Sequence, residues 1–199
     1  LGLVGSEMCI RDRVTDMLTS RQRGFTLIEL LVSILIISLG LLGLAKLQMR
    51  MQLSDMESYQ RAQALLLLND MSSRMNANAK NSSSYVTGTS TPLGVGMTCP
   101  TSSGTRQQAD LADWCSNLQG AAEVGGGNVK AGAMLGGRGC IESLGSNQYL
   151  ITVAWQGMTP ISAPPSSVAC GSGSYNGSSG CSSDLCRRVV TTIVRVASL

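Results

Sequence analysis

The sequence predicts an α+β protein in which one long N-terminal helix precedes a small sheet with disulfide-tied loops. Three observations support this fold class. An apolar run over residues 25–45 continues into an amphipathic stripe, two later stretches are rich in β-branched residues, and six cysteines follow the helix. With 199 residues, of which 43% are hydrophobic, the chain can form a membrane helix and one modest domain.

The run from Phe25 to Ala45 has the length and composition of a transmembrane helix, and Glu29 is its only ionisable residue. A helix of this length spans about 30 Å, the thickness of a bilayer's hydrocarbon core. One carboxylate in such a segment costs about 2.5–3.5 kcal/mol on insertion scales, so it requires a cationic partner. A free amino group on Phe25, produced by cleavage after Gly24, would supply that partner.

The stretch Gly24-Phe25-Thr26-Leu27-Ile28-Glu29, which follows a basic and polar segment, resembles the class III prepilin signal of type IV pilins and type II secretion pseudopilins. The resemblance implies cleavage after Gly24 by a prepilin peptidase, N-methylation of Phe25 and subunit docking through Glu29. It also implies the pilin fold, in which a long helix, half of it transmembrane, packs on a small antiparallel β-sheet.

Residues 1–24 are expected to be a leader that is removed from the mature chain. Residues 1–13 resemble a non-native end, and Met17 is the expected native start; a genuine longer leader is the alternative. Arg21 and Arg23 precede the apolar run, so the positive-inside tendency keeps them cytoplasmic. The protein is therefore expected to cross the inner membrane once, with its C-terminal domain in the periplasm, and to enter a pilus after assembly.

Residues 46–80 are predicted to continue the helix in amphipathic form, because a stripe of residues recurs at spacings of three and four. The stripe comprises Leu53, Met56, Gln60, Ala64, Leu67, Met71 and Met75. We expect it to pack against the following sheet and the helix to end near residues 76–81. Gly40 and Gly43 each weaken the helix by about 1 kcal/mol relative to alanine. They are either tolerated membrane glycines or a place where the helix bends.

Residues 81–199 are predicted to form a periplasmic domain of loops and antiparallel strands. The segment 81–106 and the glycine-rich segment 120–139 have the composition of irregular structure, and residues 110–118 that of a short helix. Residues 148–156 alternate and residues 188–196 are largely β-branched, so both are predicted strands.

Six cysteines lie in this domain, and an even number outside a membrane predicts disulfides. They are Cys99, Cys115, Cys140, Cys170, Cys181 and Cys186. The sequence leaves their pairing open, although the last three are expected to pin the Pro-, Ser- and Gly-rich connection 157–183 to the sheet. The alternative is a thiolate metal site, but no pair has the Cys-x-x-Cys spacing.

The composition argues against catalysis and nucleic-acid binding. The chain has no His, which excludes Ser-His-Asp and Cys-His catalysis and His-containing zinc sites. A formal net charge of +3 does not suggest a nucleic-acid partner. The carboxylates of Asp110, Asp113, Glu123 and Glu142 are expected to be solvated rather than paired for acid–base chemistry. No cofactor and no metal are expected.

The resemblance therefore implies a structural subunit and not an enzyme: a minor pilin that primes a type IV pilus or is incorporated in it, with a role in biogenesis, adhesion or motility. The run Gly40–Gln48 further resembles a minor pilin. Implied partners are other minor pilins, the major pilin, the prepilin peptidase, the inner-membrane assembly platform and lipid around residues 25–45. The alternatives are a minor pseudopilin, a DNA-uptake pilin and a membrane-anchored thiol enzyme. A DNA-uptake pilin would need a basic stripe, and only Arg187 and Arg188 are adjacent basic residues.

Overall fold

A computed structural model describes residues 24–102, 104–121, 134–177 and 179–197. Its elements are α1 (Leu27–Ala77), β1 (Leu93–Gly94), α2 (Arg106–Leu118), β2 (Arg138–Gly145), β3 (Gln148–Gln156) and β4 (Arg187–Arg195), with 3-10 turns at Ala79–Tyr85 and Ser179–Asp184. The α+β prediction is confirmed, because a long N-terminal helix accompanies a small antiparallel sheet and three disulfides. The chain divides into two compact units, one ending at Lys46 and one beginning at Leu47.

The first unit, in its described part, is the beginning of α1. Gly24, Phe25 and Thr26 precede the helix, and the side chains from Leu27 to Lys46 are exposed except for the half-buried Ser33. In the part of the chain that the structure describes, α1 is the one helix that is long and apolar enough to cross a membrane.

The four described strands of the second unit form one antiparallel sheet in the order β1-β2-β3-β4. β3 pairs with β4 along its whole length, from Gln148 opposite Arg195 to Gln156 opposite Arg187. β2 pairs with β3 with an irregularity between Ser143 and Gly145. Both predicted strands are thus confirmed, with β4 beginning one residue earlier than expected.

The core of the second unit lies between one face of α1, the helix α2 and one face of the sheet. The buried α1 residues are Gln60, Ala64, Leu68, Met71 and Met75. They recur every three or four residues, as a helical stripe requires. The predicted stripe was wrong at Met56, which is 51% exposed. Burial begins only at Gln60, and further along Leu68 is more deeply buried than the predicted Leu67.

The helix α2 begins at Arg106, four residues before the predicted start, because a capping box precedes it. Thr105 Oγ1 accepts a hydrogen bond from the Gln108 N–H, and the Gln108 side chain accepts one from the Thr105 N–H. These bonds satisfy two donors that a helix start otherwise leaves free. Trp114 and Cys115, which follow on the inner face, are fully buried.

The strand β2 begins at Arg138, so the prediction of irregular structure over residues 120–139 was wrong at its last two residues, Arg138 and Gly139. Residues 122–133 of that stretch lie outside the described part of the chain. A Cβ at Gly139 would overlap ring atoms of Trp114. The glycine is therefore required by the close approach of the indole to the strand and does not mark a loop.

Candidate functional site

The candidate processing site lies where α1 begins. Phe25 is 77% exposed and lies two residues before the helix. Thr26 Oγ1 accepts a hydrogen bond from the Glu29 N–H at 3.3 Å, and the Thr26 carbonyl accepts one from the Leu30 N–H at 3.1 Å. Thr26 therefore caps the helix. We did not predict this role from the sequence, although Thr26-x-x-Glu29 has the spacing of a capping box.

Glu29 lies in the first turn of α1, where the positive end of the helix dipole favours a carboxylate. Its carboxylate forms no ion pair with any residue described in the structure. The expected partner, the Phe25 amine, exists only in a chain that has been cut after Gly24. Docking by Glu29, cleavage after Gly24 and N-methylation of Phe25 therefore stay predictions.

The two serines in the apolar part of α1 direct their hydroxyls to their own helix. Ser33 Oγ donates to the Glu29 carbonyl and Ser38 Oγ donates to the Ile34 carbonyl, each at 2.7 Å. Such bonds satisfy a hydroxyl where no water is available, as in lipid. The outer surface of this segment is consequently apolar over most of its area.

The six cysteines form three disulfides, which confirms the disulfide prediction and supplies the pairing. The pairs are Cys99–Cys115, Cys140–Cys170 and Cys181–Cys186. The first joins a loop to α2, the second joins β2 to the long connection, and the third closes a short loop before β4. The expectation that the last three cysteines pin the connection to the sheet is confirmed for Cys170, which bonds Cys140 of β2. Cys181 bonds Cys186, the residue before β4, and not a residue of the sheet. Among the described residues, no three His, Cys, Asp or Glu residues are grouped as they would be to hold a metal ion.

A charged cluster links the C-terminal part of α1 to α2. Arg74 Nε lies 2.9 and 3.0 Å from the two carboxylate oxygens of Asp70, and Arg74 Nη1 lies 3.0 Å from Asp110 Oδ1 and 3.4 Å from Asp113 Oδ2. Asp110 also accepts a hydrogen bond from the Tyr85 hydroxyl at 2.6 Å. Burial, with this bond, raises the pKa of Tyr85 to about 12.

The expectation of a solvated charge was therefore wrong for Asp110, which is buried against Arg74. It is confirmed for Asp113, whose side chain is 62% exposed although Arg74 Nη1 lies 3.4 Å from it. Asp110 is 5% exposed, so it requires this counter-charge. The cation lies 36 residues earlier in the chain, and sequence spacing does not reveal the pairing. Glu142 is partly buried, and Glu123 lies outside the described residues. Because Arg74 contacts all three carboxylates of the cluster, those of Asp70, Asp110 and Asp113, the arrangement is that of a structural network and not of an acid–base pair.

A notch of about 360 Å³ lies between α1 and the beginning of β4. Its lining residues are Ser54, Glu57, Ser58, Arg61, Trp155, Ile161, Arg188 and Val189. Glu57 Oε1 accepts a hydrogen bond from the Met158 N–H at 3.0 Å and lies 3.4 Å from Arg188 Nη2. Arg61 forms no ion pair within the described part of the chain.

The adjacent arginines Arg187 and Arg188 do not form a basic stripe. Arg187 is buried, with Nε 3.1 Å from Asp184 Oδ2 and Nη1 2.6 Å from the Val168 carbonyl. Arg188 donates to the Thr159 carbonyl at 2.6 Å in addition to its pairing with Glu57. Both cations are engaged within the domain, and this arrangement does not favour a nucleic-acid interface.

Residues 19–45 match the family described as Prokaryotic N-terminal methylation motif. No curated protein and no solved structure matches the chain. The matched segment includes Gly24, Phe25 and Glu29 and extends to the end of the apolar run. A structural subunit, rather than an enzyme, is what this motif suggests. The motif and the N-terminal apolar helix fit a membrane-anchored, type IV pilin-like protein, either a pilin or a pseudopilin.

Proposed function

We propose that this protein is a minor pilin of a type IV pilus, a structural subunit that primes pilus assembly or is incorporated in the pilus. The observation that carries the proposal is the methylation motif over residues 19–45. The same chain joins that motif to an apolar helix and a disulfide-linked α+β unit. The run Gly40–Gln48 resembles the minor pilin PilV, and together with the cysteine-rich tail it favours a pilus over a pseudopilus.

In this proposal the mature chain begins at an N-methylated Phe25 and crosses the inner membrane once, with its C-terminal domain in the periplasm. The exposed apolar surface of residues 25–45 contacts lipid before assembly and the helices of neighbouring subunits afterwards. Glu29 then pairs with the freed amine of Phe25 in its own chain or in a neighbour, since two charges in apolar surroundings are less costly paired than apart. The partners are other minor pilins, the major pilin, the prepilin peptidase and the inner-membrane assembly platform.

The first experiment tests processing. N-terminal mass spectrometry of membranes that contain the protein is expected to find a chain that begins at methylated Phe25. Gly24→Val is expected to block the cut, because the peptidase requires a residue with almost no side chain at this position, whereas Thr26→Ser, the matched control, is cut normally. A wild-type chain that keeps residues 20–24 would contradict the proposal.

The second experiment tests docking. Glu29→Leu is expected to insert and to be cleaved like the wild type, because removing a charge from an apolar helix favours insertion by about 2.5–3.5 kcal/mol. It is expected to lose most co-purification with the other minor pilins and to lower the number of surface pili. Ile28→Leu, in the same turn, is the control. Wild-type partner recovery and piliation in Glu29→Leu would show that Glu29 is not a docking group.

A pseudopilin carries the same N-terminal signal, so a deletion strain distinguishes the two assemblies. Loss of surface pili with normal type II secretion is the expected outcome. Loss of secretion with unchanged pili would assign the protein to a pseudopilus. The genes on either side of its gene supply an independent check, since pilus and secretion components are expected to differ there.

A further inference from the structure

The two edges of the sheet differ in length and in protection. β1 has two residues, and the Gln119 side chain donates to the carbonyl of Gly94 at 3.1 Å. β4 has nine residues and pairs with β3 on one side. Proteins usually protect such an edge by a bulge, a proline, a short strand or a covering segment. β4 has no proline and no register shift, and no other described strand pairs with it.

The register determines which backbone groups of β4 point away from β3. The Gln156 N–H donates to the Leu135 carbonyl, on the β2 side of β3. Alternate residues of a strand bond to opposite neighbours. The partner of Gln156 in β4, Arg187, therefore belongs to the set whose N–H and C=O groups point outward. In the middle of β4 the same set includes Val189, Thr191 and Ile193. Their backbone groups form no hydrogen bond with the described residues outside the sheet.

The side chains along this edge are apolar or uncharged in the middle and basic towards the ends. Thr191 is exposed and Ile193 is 55% exposed. The exposed Arg195 ends the strand, and the exposed Arg61 lines the notch beside its beginning. Neither arginine forms an ion pair with a residue that the structure describes. The strand itself contains no acidic residue.

We propose that the outer edge of β4 binds an extended, acidic-ended segment of another protein as a fifth strand. The outward N–H and C=O groups supply the main-chain hydrogen bonds of strand addition. The notch receives a side chain from the α1-facing side of the added strand. Acidic residues at the two ends of that strand pair with Arg61 and Arg195. This inference goes beyond the proposed function and does not depend on it.

Charge favours a different protein over a second copy as the occupant. An antiparallel pair of two β4 strands centred on Thr191 places the beginning of each strand, where Arg61 lines the notch, beside Arg195 of the other copy. A parallel pair aligns each arginine with its own equivalent. Like charges that lie opposite each other destabilise strand pairing, whereas an acidic-ended strand neutralises the two free cations.

The test uses the full chain in detergent micelles and a fluorescent synthetic peptide of alternating valine and threonine with glutamate at both ends. Thr191→Pro removes one outward N–H and leaves the bonds to β3 in place, and Thr191→Val is the matched control that keeps the N–H. We expect the peptide to bind the wild type and Thr191→Val equally, and Thr191→Pro about tenfold more weakly.

A double variant keeps the test valid if Thr191→Pro does not fold. Arg61→Glu combined with Arg195→Glu changes exposed residues only. It is expected to reverse the preference, so that a lysine-ended peptide binds better than the glutamate-ended one. Failure of both peptides to bind, or equal binding of both to the wild type, would overturn the proposal. A wild-type dimer that Thr191→Pro dissociates would also overturn it, in favour of a second copy.

Discussion

The side chains of α1 are exposed on every side in its first part and buried along one stripe in its last part. From Leu27 to Lys46 its apolar side chains are exposed all round, and its serine hydroxyls are bonded to its own carbonyls. From Gln60 to Met75 one stripe is buried and the remaining residues are mostly polar or charged. The first part requires an apolar environment on every side, whereas the second requires only one covering surface, which α2 and the sheet supply.

This difference shows that one continuous helix carries two kinds of surface with separate requirements. The disulfides and the charged cluster all belong to the unit that begins at Leu47. A change that destabilises this unit is therefore expected to leave membrane insertion unaffected. Conversely, a change at the first turn of α1 is expected to alter assembly and not the stability of the disulfide-linked unit.

Loss of the disulfide Cys140–Cys170 is the largest expected perturbation of the packed unit. Its two cysteines are 30 residues apart, against five for Cys181–Cys186. Since a longer closed loop restricts the unfolded chain more, replacing both cysteines by serine is expected to lower the free energy of unfolding by about 3.5 kcal/mol for the first pair and about 2 kcal/mol for the second.

Denaturation in detergent, followed by the fluorescence of the buried Trp114 and Trp155, measures these losses. Membrane insertion of both variants is expected to equal that of the wild type. Equal stability losses for the two pairs would show that local strain or packing, and not chain restriction, determines the effect. Reduced insertion would contradict the separation between the two parts of α1.

The cluster around Asp110 gives a smaller effect that depends on pH. Tyr85 has a pKa of about 12 in the folded protein, against about 10 in an unfolded chain. Between these values the unfolded state releases a proton that the folded state retains, so the free energy of unfolding falls as the pH rises. The contribution is fully present below pH 10 and decreases by about 2–3 kcal/mol towards pH 12.

Tyr85→Phe is the matched variant, because it keeps the ring and removes the titrating hydroxyl. The pKa of Tyr175 is also raised by burial, so the prediction concerns the difference between wild type and Tyr85→Phe. The stability of the wild type is expected to decrease more steeply above pH 10 than that of the variant. Parallel curves would mean that the hydroxyl of Tyr85 titrates normally.

The sequence revealed the parts of the fold whose signal is local. β3 and β4 were predictable because alternating and β-branched residues form continuous runs. β2 was not, since Gly139 is required by the indole of Trp114, a residue distant in the chain. The start of α2 was accessible in principle, because Thr105 and Gln108 have the capping-box spacing.

In the candidate site too, features carried by a contiguous motif were predictable, and features that depend on distant residues were not. Gly24, Phe25 and Glu29 are recognisable because the processing signal is a contiguous motif, and residues 19–45 match it. Asp110 was misjudged because its cation, Arg74, comes from another helix. The disulfide pairing likewise depends on which loops the fold brings together, so an even number of cysteines predicts bonds but not partners.

The smallest expected effect concerns Thr26 and separates two roles of Glu29. Thr26 Oγ1 accepts a hydrogen bond from the Glu29 N–H at the start of α1. Thr26→Ala removes this cap at a cost of about 1 kcal/mol, and Thr26→Ser retains it. Because α1 has 51 residues, fraying is expected to remain within its first turn. Amide exchange over Leu27–Leu30 in detergent is therefore expected to be faster in Thr26→Ala and unchanged in Thr26→Ser.

The same variant shows whether Glu29 acts through its carboxylate or through the helix start. If the carboxylate binds a neighbouring subunit, Thr26→Ala recovers nearly the wild-type amount of minor pilins, while Glu29→Leu loses them. If Glu29 matters because an acidic residue stabilises the first turn, Thr26→Ala loses the partners as well, since it frays the same turn. We expect the first result, because a local cost of about 1 kcal/mol is small beside that of an unpaired charge in apolar surroundings.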